Sequence, residues 1–269
     1  MEFQAQADRN KLDSLFHLLG HVEDTSRLST LKELSEAYIP FSLDSAHLYA
    51  NLLLQEAKSL DDLSFTSDGF NMIGYVLREM VRMEESYIYF QKALDLRLDL
   101  KEYDKASNTL NLLGTAYHRT GDLEQSLDYY LQAIEQAEIN GNPQCLNSPI
   151  SNIGSLYSDM GDKEKALEYD LRALSIARGS DNLGGMALAY NKLGTFYQET
   201  GHLDTAKLFY KEAMKLYEEA NDNSGAAHVY NNMAIIYFME DNTEESLIHF
   251  RMAMKMRLAS RDMINYSQS

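Results

Sequence analysis

Apolar residues recur along this chain at helical spacing, three and four apart, and the pattern breaks and restarts at regular intervals. Leu110, Leu113, Ala116 and Tyr117 make one stripe, Gly121 interrupts it, and Leu123, Leu127, Tyr130, Leu131 and Ile134 make the next. Each stripe predicts an amphipathic helix, and a glycine followed by Asp122, with Gln125 three residues on, predicts a stop and a capped restart. The predicted unit is a helical hairpin. It recurs every forty residues: Gly74, Gly114, Gly154, Gly194 and Ala234 keep that spacing, Tyr117, Tyr157, Tyr197 and Tyr237 follow the last four rungs by three, and Ala93, Ala133, Ala173, Ala213 and Ala253 follow all five by nineteen. A fixed period of this length means copied units that bury their apolar faces by stacking.

The small rung is expected where two antiparallel helices touch, so that the backbones approach and Tyr117 interlocks with Ala133. On that reading Gly154→Leu overpacks its hairpin and costs about 1–3 kcal/mol, visible as a lowered melting midpoint. Glycine is missing from two turns, where Val81 and Asp241 stand. Asp170 occupies a slot that holds Phe90, Tyr130, Tyr210 and Phe250 elsewhere, so packing is expected to be weakest around it.

A small residue and an aromatic on the first helix, a glycine turn and alanines on the second resemble the tetratricopeptide repeat. That resemblance rests on Met72, Ile73, Gly74 and Ala93; on Ile153, Gly154, Tyr157, Gly161, Ala166 and Ala173; on Leu193, Gly194, Tyr197, Gly201, Ala206 and Ala213; and on Met233, Ala234, Tyr237, Ser246 and Ala253. A more divergent first copy fits Leu31, Leu34, Ser35 and Tyr38, then Ala46, Tyr49 and Leu53. The fold class this implies is all-α, a right-handed superhelical solenoid of about six hairpins at 27–61, 67–100, 107–140, 147–180, 187–220 and 227–260. Residues 9–22 read as an N-terminal capping helix with Leu12, Leu15, Phe16 and Leu19 inward, and 1–8 as disordered or derived from cloning. Residues 261–269 align with the entry to a first helix and read as the start of a truncated further repeat, the whole being a fragment of a longer protein.

In tetratricopeptide arrays the first helices line a concave groove that holds a peptide. Carried onto this chain, the resemblance gives Asp68, Asn71, Tyr75 and Arg78; Asn108, Asn111, Thr115 and His118; Ser151, Asn152 and Ser155; Asn191, Thr195 and Gln198; and His228, Asn231 and Asn232. The asparagines three places before four rungs, Asn71, Asn111, Asn191 and Asn231, carry both donor and acceptor. They can pair with an extended peptide backbone, or equally bond the next repeat and fix the stack. The arrays that seize a terminal carboxylate use Lys and Arg at several of these positions. Here only Arg78 and Lys192 are nearby, so that activity is not expected.

Charge narrows the partners. With 24 Lys plus Arg against 41 Asp plus Glu, a formal charge of −17, and no basic cluster, nucleic acid is not expected. No apolar run approaches the ~20 residues of a membrane span. A single cysteine, Cys145, excludes an internal disulfide. His17 and His21 have a spacing that places two imidazoles on one helical face, but without an accompanying acid or third ligand, and no metal is expected. No phosphate loop, nucleophile elbow or dinucleotide fingerprint occurs, so neither catalysis nor a cofactor is expected. Methionines gather toward the end, at Met233, Met239, Met252, Met254, Met256 and Met263, and suggest an exposed apolar edge through which a homodimer forms.

Lys11-Leu-Asp-Ser-Leu, Asp24-Thr25-Ser-Arg-Leu and Asp44-Ser-Ala-His-Leu-Tyr resemble the start of tetratricopeptide sensor regions in bacterial signalling proteins. The implied function is a non-enzymatic protein- or peptide-binding solenoid, the sensor part of such a protein. A constitutive cytoplasmic scaffold or self-assembling subunit, or a peptide-responsive cytoplasmic regulator, stays open beside it. The compartment is periplasmic if Ala5-Gln6-Ala7 marks a removed export signal and Met1–Phe3 a cloning scar, and cytoplasmic otherwise.

Overall fold

From residue 61 to residue 241 the backbone of this chain enters the left-handed region for one residue in every twenty. It does so at Asp61, Val81, Lys101, Gly121, Gly141, Gly161, Asp181, Gly201, Asn221 and Asp241, with φ between 50° and 81° at the eight positions other than Gly121 and Gly141, which have φ 83° and 66°. In a computed structural model, which describes the backbone of residues 2–266 and the side chains of 11–258, these residues separate successive helices from residue 59 onward. Where the residue after the break is Asp or Asn it caps the next helix: Asp62 accepts from Phe65 N at 2.9 Å, Asp122 from Gln125 N at 3.1 Å, Asp162 from Lys165 N at 3.1 Å and Asn182 from Gly185 N at 2.9 Å. Break and cap together fix these helix starts, whereas the helices that begin at Met83, Tyr103 and Leu203 follow the break without a side-chain cap, at Arg82, Glu102 and His202.

Val81 shows that position in the twenty-residue cycle, more than residue type, decides the turn. A β-branched side chain at φ 63° is held against its own preference, and Val81 is 76% exposed, so its side chain contributes little packing in return. Val81→Gly should raise stability by about 1 kcal/mol, relief of the left-handed strain outweighing the extra freedom of glycine in the unfolded chain. A denaturation midpoint that stays put or falls would show that Val81 is unstrained.

The helices are α1 (Glu2–Leu19), then six hairpins: α2 (Asp24–Tyr38) with α3 (Leu43–Ser59), α4 (Leu63–Glu79) with α5 (Met83–Asp99), α6 (Tyr103–Thr120) with α7 (Leu123–Asn140), α8 (Asn147–Asp159) with α9 (Lys163–Gly179), α10 (Leu183–Glu199) with α11 (Leu203–Glu219), and α12 (Asn223–Met239) with α13 (Thr243–Tyr266). A short 3-10 turn, Pro143–Leu146, replaces the first turn of α8. The chain divides into two compact units, residues 1–140 and 141–269. In the first, α2, α4 and α6 lie side by side; in the second, α8, α10 and α12 do. The first helices therefore form the inner side of each stack.

Two boundaries differ from expectation. The first helix already includes residues 2–8, read from sequence as disordered or cloning-derived, and it reaches its end at Leu19. Residues 261–266 continue α13 instead of opening a new hairpin, because the left-handed break due near residue 261 by the twenty-residue cycle does not occur there. Residues 267–269 lie outside the described residues.

The ladder glycines make room for a ring beyond those of the ladder tyrosines. A Cβ on Gly74 would lie 2.8 Å from the Phe90 ring, and on Gly114 and Gly194 2.6 Å from the rings of Tyr130 and Tyr210. The glycine's own partner is the aromatic sixteen residues on, wholly buried in all three cases, while Tyr117 packs against the cluster that holds Ala133. The ladder tyrosines instead stack on the aromatic twelve residues on: Tyr117 on Tyr129 with centroids 5.3 Å apart, and Tyr197 on Phe209 at 5.3 Å. At the same twelve-residue offset from the rung, buried Ser86, Ser126 and Ser246 donate to the carbonyls of Gly74, Gly114 and Ala234, each at 2.9 Å. Close backbone approach, one ring and one serine bond make the seam of the hairpin.

The first helices and a charged pocket

Several polar side chains on the inner faces hold one repeat to the next. In the first unit Asp68, expected in the groove, is buried and paired with Arg97 at 2.7 Å, Lys32 at 2.9 Å and Lys105 at 3.4 Å. Arg97, equally buried, also donates to Ser67 Oγ at 3.3 Å, to Lys105 O at 3.0 Å and to Thr109 Oγ1, which in turn donates to Asn71 Oδ1 at 3.1 Å. Burial alone would raise the Asp68 carboxyl, but the Lys32 hydrogen bond and the charges of Lys32, Arg97 and Lys105 outweigh it and hold the group below the usual carboxylate range. Burial lowers the Arg97 guanidinium, against the pull of Asp68.

The remaining candidates divide the same way. Arg78 is buried, pairs with Glu79 at 2.9 Å and lies 4.5 Å over the Tyr75 ring, so both belong to local packing. Thr115 donates to Asn111 O at 2.8 Å. Asn111 and His118 are half-buried, and Asn108 is exposed. In the second unit Asn191 Oδ1 accepts from Asn232 Nδ2 at 3.3 Å, tying α10 to α12. Thr195 and Gln198 both bond the Tyr210 hydroxyl, at 3.2 and 2.8 Å. Asn152 and Asn231 are half-buried and His228 is exposed. Of the asparagine ladder, Asn71 and Asn191 thus bond the next repeat, the structural one of the two roles their chemistry allows.

One opening interrupts this face. Between α8, α9 and α10 lies a pocket lined by Ser155, Ala166, Asp170, Lys192, Thr195 and Phe196 among others. It lies where the fourth hairpin lacks its ring: a Cβ on Gly154 would meet not an aromatic but Asp170 Oδ1. Asp170 is buried, 6% exposed, and its Oδ1 stands 3.5 Å from Lys192 Nζ with no hydrogen-bond partner. Lys192 donates to Ser155 Oγ at 2.7 Å and to the Ser151 carbonyl. Burial pushes the Asp170 carboxyl up to about 6 despite the Lys192 charge, and burial likewise lowers the Lys192 ammonium.

Sequence reasoning singled out Asp170 as a packing defect and noted Lys192 near the groove, but missed that the two meet. The signal was present in the neighbouring repeat: Tyr210 and Asn232 stand forty residues after Asp170 and Lys192, so both members of one position pair change together. His17 and His21 at the end of α1 have ring centroids 4.6 Å apart, and among the described residues no group of three potential ligands assembles around them or elsewhere.

Among the described residues no helix is long and apolar enough to cross a membrane. No curated protein matches the sequence. Among solved structures, BtubC from P. vanneervenii matches at a TM-score of 0.68 and 17% identity over 82% of this chain and 92% of that one. A Rap protein complexed with competence and sporulation factor matches at 0.73 and 17% over 97% of this chain and 73% of that one. The signal transduction ATPase with numerous domains from Pyrococcus horikoshii, which carries a tetratricopeptide repeat sensor, matches at 0.65 and 18% over 99% of this chain and 41% of that one. These likenesses show the fold, all-α and built of stacked hairpins. The tetratricopeptide repeat family model matches residues 66–139, 146–219 and 185–259, and with the forty-residue seam of glycine, ring and alanine it establishes that the chain belongs to the tetratricopeptide repeat family.

Proposed function

We propose that this chain is a non-enzymatic peptide-binding domain, the ligand-binding part of a larger bacterial signalling protein. The observation that carries the reading is the inner side of the second unit, where polar side chains already fixed by bonds between repeats surround a pocket built around charge. Preorganised donors and acceptors lower the entropic cost of holding a flexible peptide. A Rap protein of the same fold accommodates competence and sporulation factor, and the Pyrococcus protein uses such an array as a sensor, which supports this use of the fold.

Random peptides displayed on phage and selected against the purified chain test it. Selected peptides should lose at least tenfold in affinity on Asn231→Arg or His228→Glu, on the first helix α12, and keep it on Leu208→Arg, whose side chain is 65% exposed on the second helix α11. Equal losses at Leu208, or no peptide selected above background, would overturn the reading.

The last hairpin supports self-association through a second copy of the chain. Phe250, in the ring slot that is wholly buried at Phe90, Tyr130 and Tyr210, is 39% exposed, and Leu247, Met254 and Leu258 on the same helix are about half exposed. An apolar face of that kind is stabilised by burial against its own copy. Sedimentation should show a concentration-dependent dimer that Phe250→Glu with Leu247→Glu returns to monomer; a monomer at all concentrations would remove this interface.

A further inference from the structure

The sixth hairpin keeps apolar side chains where earlier hairpins bury theirs, and leaves them exposed. The slot of Met254 holds Leu94, Ile134 and Leu174 in three earlier hairpins, all buried, whereas Met254 itself is 58% exposed. The polar knot around the ring slot has gone as well. In the fifth hairpin Thr195 and Gln198 bond the Tyr210 hydroxyl; forty residues on, Ile235, Phe238 and the hydroxyl-free Phe250 stand in their places, and Phe238 is 67% exposed. An array whose outer face meets water carries polar residues there, so these joint exchanges on one edge mark a surface that another molecule covers.

The order of side chains along α13 says what kind of partner fits. Leu247, Phe250 and Met254 follow one another at three and four residues and form one exposed seam, the spacing with which two helices interlock side by side. Glu244 stands one turn before this seam and Arg257 one turn after it, both exposed. Leu247 and Met254 lie equally far from the middle, between Phe250 and Arg251, and so do Glu244 and Arg257. An identical helix laid antiparallel therefore sets Leu247 against Met254 and Glu244 against Arg257, and a two-fold axis repeats both contacts. A parallel copy would set acid on acid and base on base.

Net charge is compatible with the same partner. Two copies at −17 each repel one another in general, but α12 carries no Asp, Glu, Lys or Arg, and α13 from Thr243 to Leu258 carries two acids against three bases. A copy approaches along these two helices without the acidic excess of the rest of the chain.

We propose that a second copy docks on this edge about a two-fold axis near Phe250, with α13 antiparallel to its copy, Leu247 against Met254, Glu244 against Arg257, and Phe238 of α12 covered at the margin. The proposal deepens the self-association reading and rests on it. It fixes the direction of the pairing and restricts the partner to a chain that carries the same seam.

Analytical ultracentrifugation of the whole chain and its charge variants tests it. Glu244→Arg and Arg257→Glu should each weaken the dimer about tenfold, because each turns both symmetry-related ion pairs into like-charge contacts. Both changes in one chain restore opposite charges across the axis, and should bring the dimer back to within about threefold of the unaltered chain. An equimolar mixture of the two single variants should likewise dimerise more strongly than either alone. Phe238→Ser should weaken the dimer about tenfold or more. The substituted side chains are exposed, so every variant should melt with the unaltered chain. Single variants that dimerise like the unaltered chain, a double variant weaker than either, or an unaffected Phe238→Ser would overturn the antiparallel seat and leave self-association standing. A chain that stays monomeric at every concentration would overturn both.

Discussion

Asp68→Ala should cost about 3–5 kcal/mol of stability, the cost of leaving a buried guanidinium without its counter-charge. Arg97 is as buried as Asp68 and loses its one carboxylate at 2.7 Å, while the oxygens of Ser67, Lys105 and Thr109 that it still contacts are neutral. Lys32→Ala removes a partner that is 35% exposed and should cost no more than about 1 kcal/mol. Denaturant unfolding of both variants checks the contrast; comparable losses would mean that Arg97 relaxes toward water. The pH sign follows from the depressed carboxyl. The folded chain releases the Asp68 proton more readily than the unfolded chain, so this stabilisation is complete at neutral pH and drains away as pH falls below about 4. The slope should be absent in Asp68→Ala.

Asp170→Tyr combined with Lys192→Asn should stabilise the chain by about 1–4 kcal/mol, since it replaces a buried ion pair with the ring and amide that the fifth and sixth hairpins already use at Tyr210 and Asn232. The opposite pH sign identifies the source. Asp170 titrates at about 6 when folded, above an unfolded aspartate, so the folded chain takes up a proton that the unfolded chain does not. That contribution is fully present below about pH 4 and lost as pH rises through 6, an amount of about 3 kcal/mol between the two limits. The double variant should lose this slope and gain its stability at pH 7, read from denaturation midpoints at pH 5 and 7. A destabilised double variant would show that the fourth hairpin has adapted its backbone to the shorter side chain.

How much could be read from the amino acids differs by level. The hairpins were legible because Gly114, Tyr117 and Ala133 repeat at fixed offsets, and an apolar period needs no knowledge of what it packs against. The turn at Val81 could be placed only by the period, and the left-handed break at Lys101 was not legible, because neither residue favours φ near 60°; the helices on both sides impose it. That the ladder glycine faces the Tyr130 ring was not legible, since Tyr117 and Tyr130 are both candidates at helical spacing and only the contact distance separates them. On the inner face the sequence gives positions but not spare hydrogen-bonding capacity. Asn71 and Asn191 occupy groove positions, yet their acceptors already serve Thr109 and Asn232. Asp170 was visible as an exception, but its meaning depends on a lysine twenty-two residues away across a helix boundary.

The left-handed residue at every twentieth position sets how the array tolerates length changes. Inserting or deleting one residue inside a helix rotates everything beyond it by about 100° before the next break. The apolar stripe then faces solvent, and the following break and cap fall one residue out of step with the hairpin they close. Whole hairpins can be exchanged, since each begins and ends at the same backbone state, whereas single-residue insertions should be tolerated only around Gly141–Leu146, where a 3-10 turn already stands in for helix.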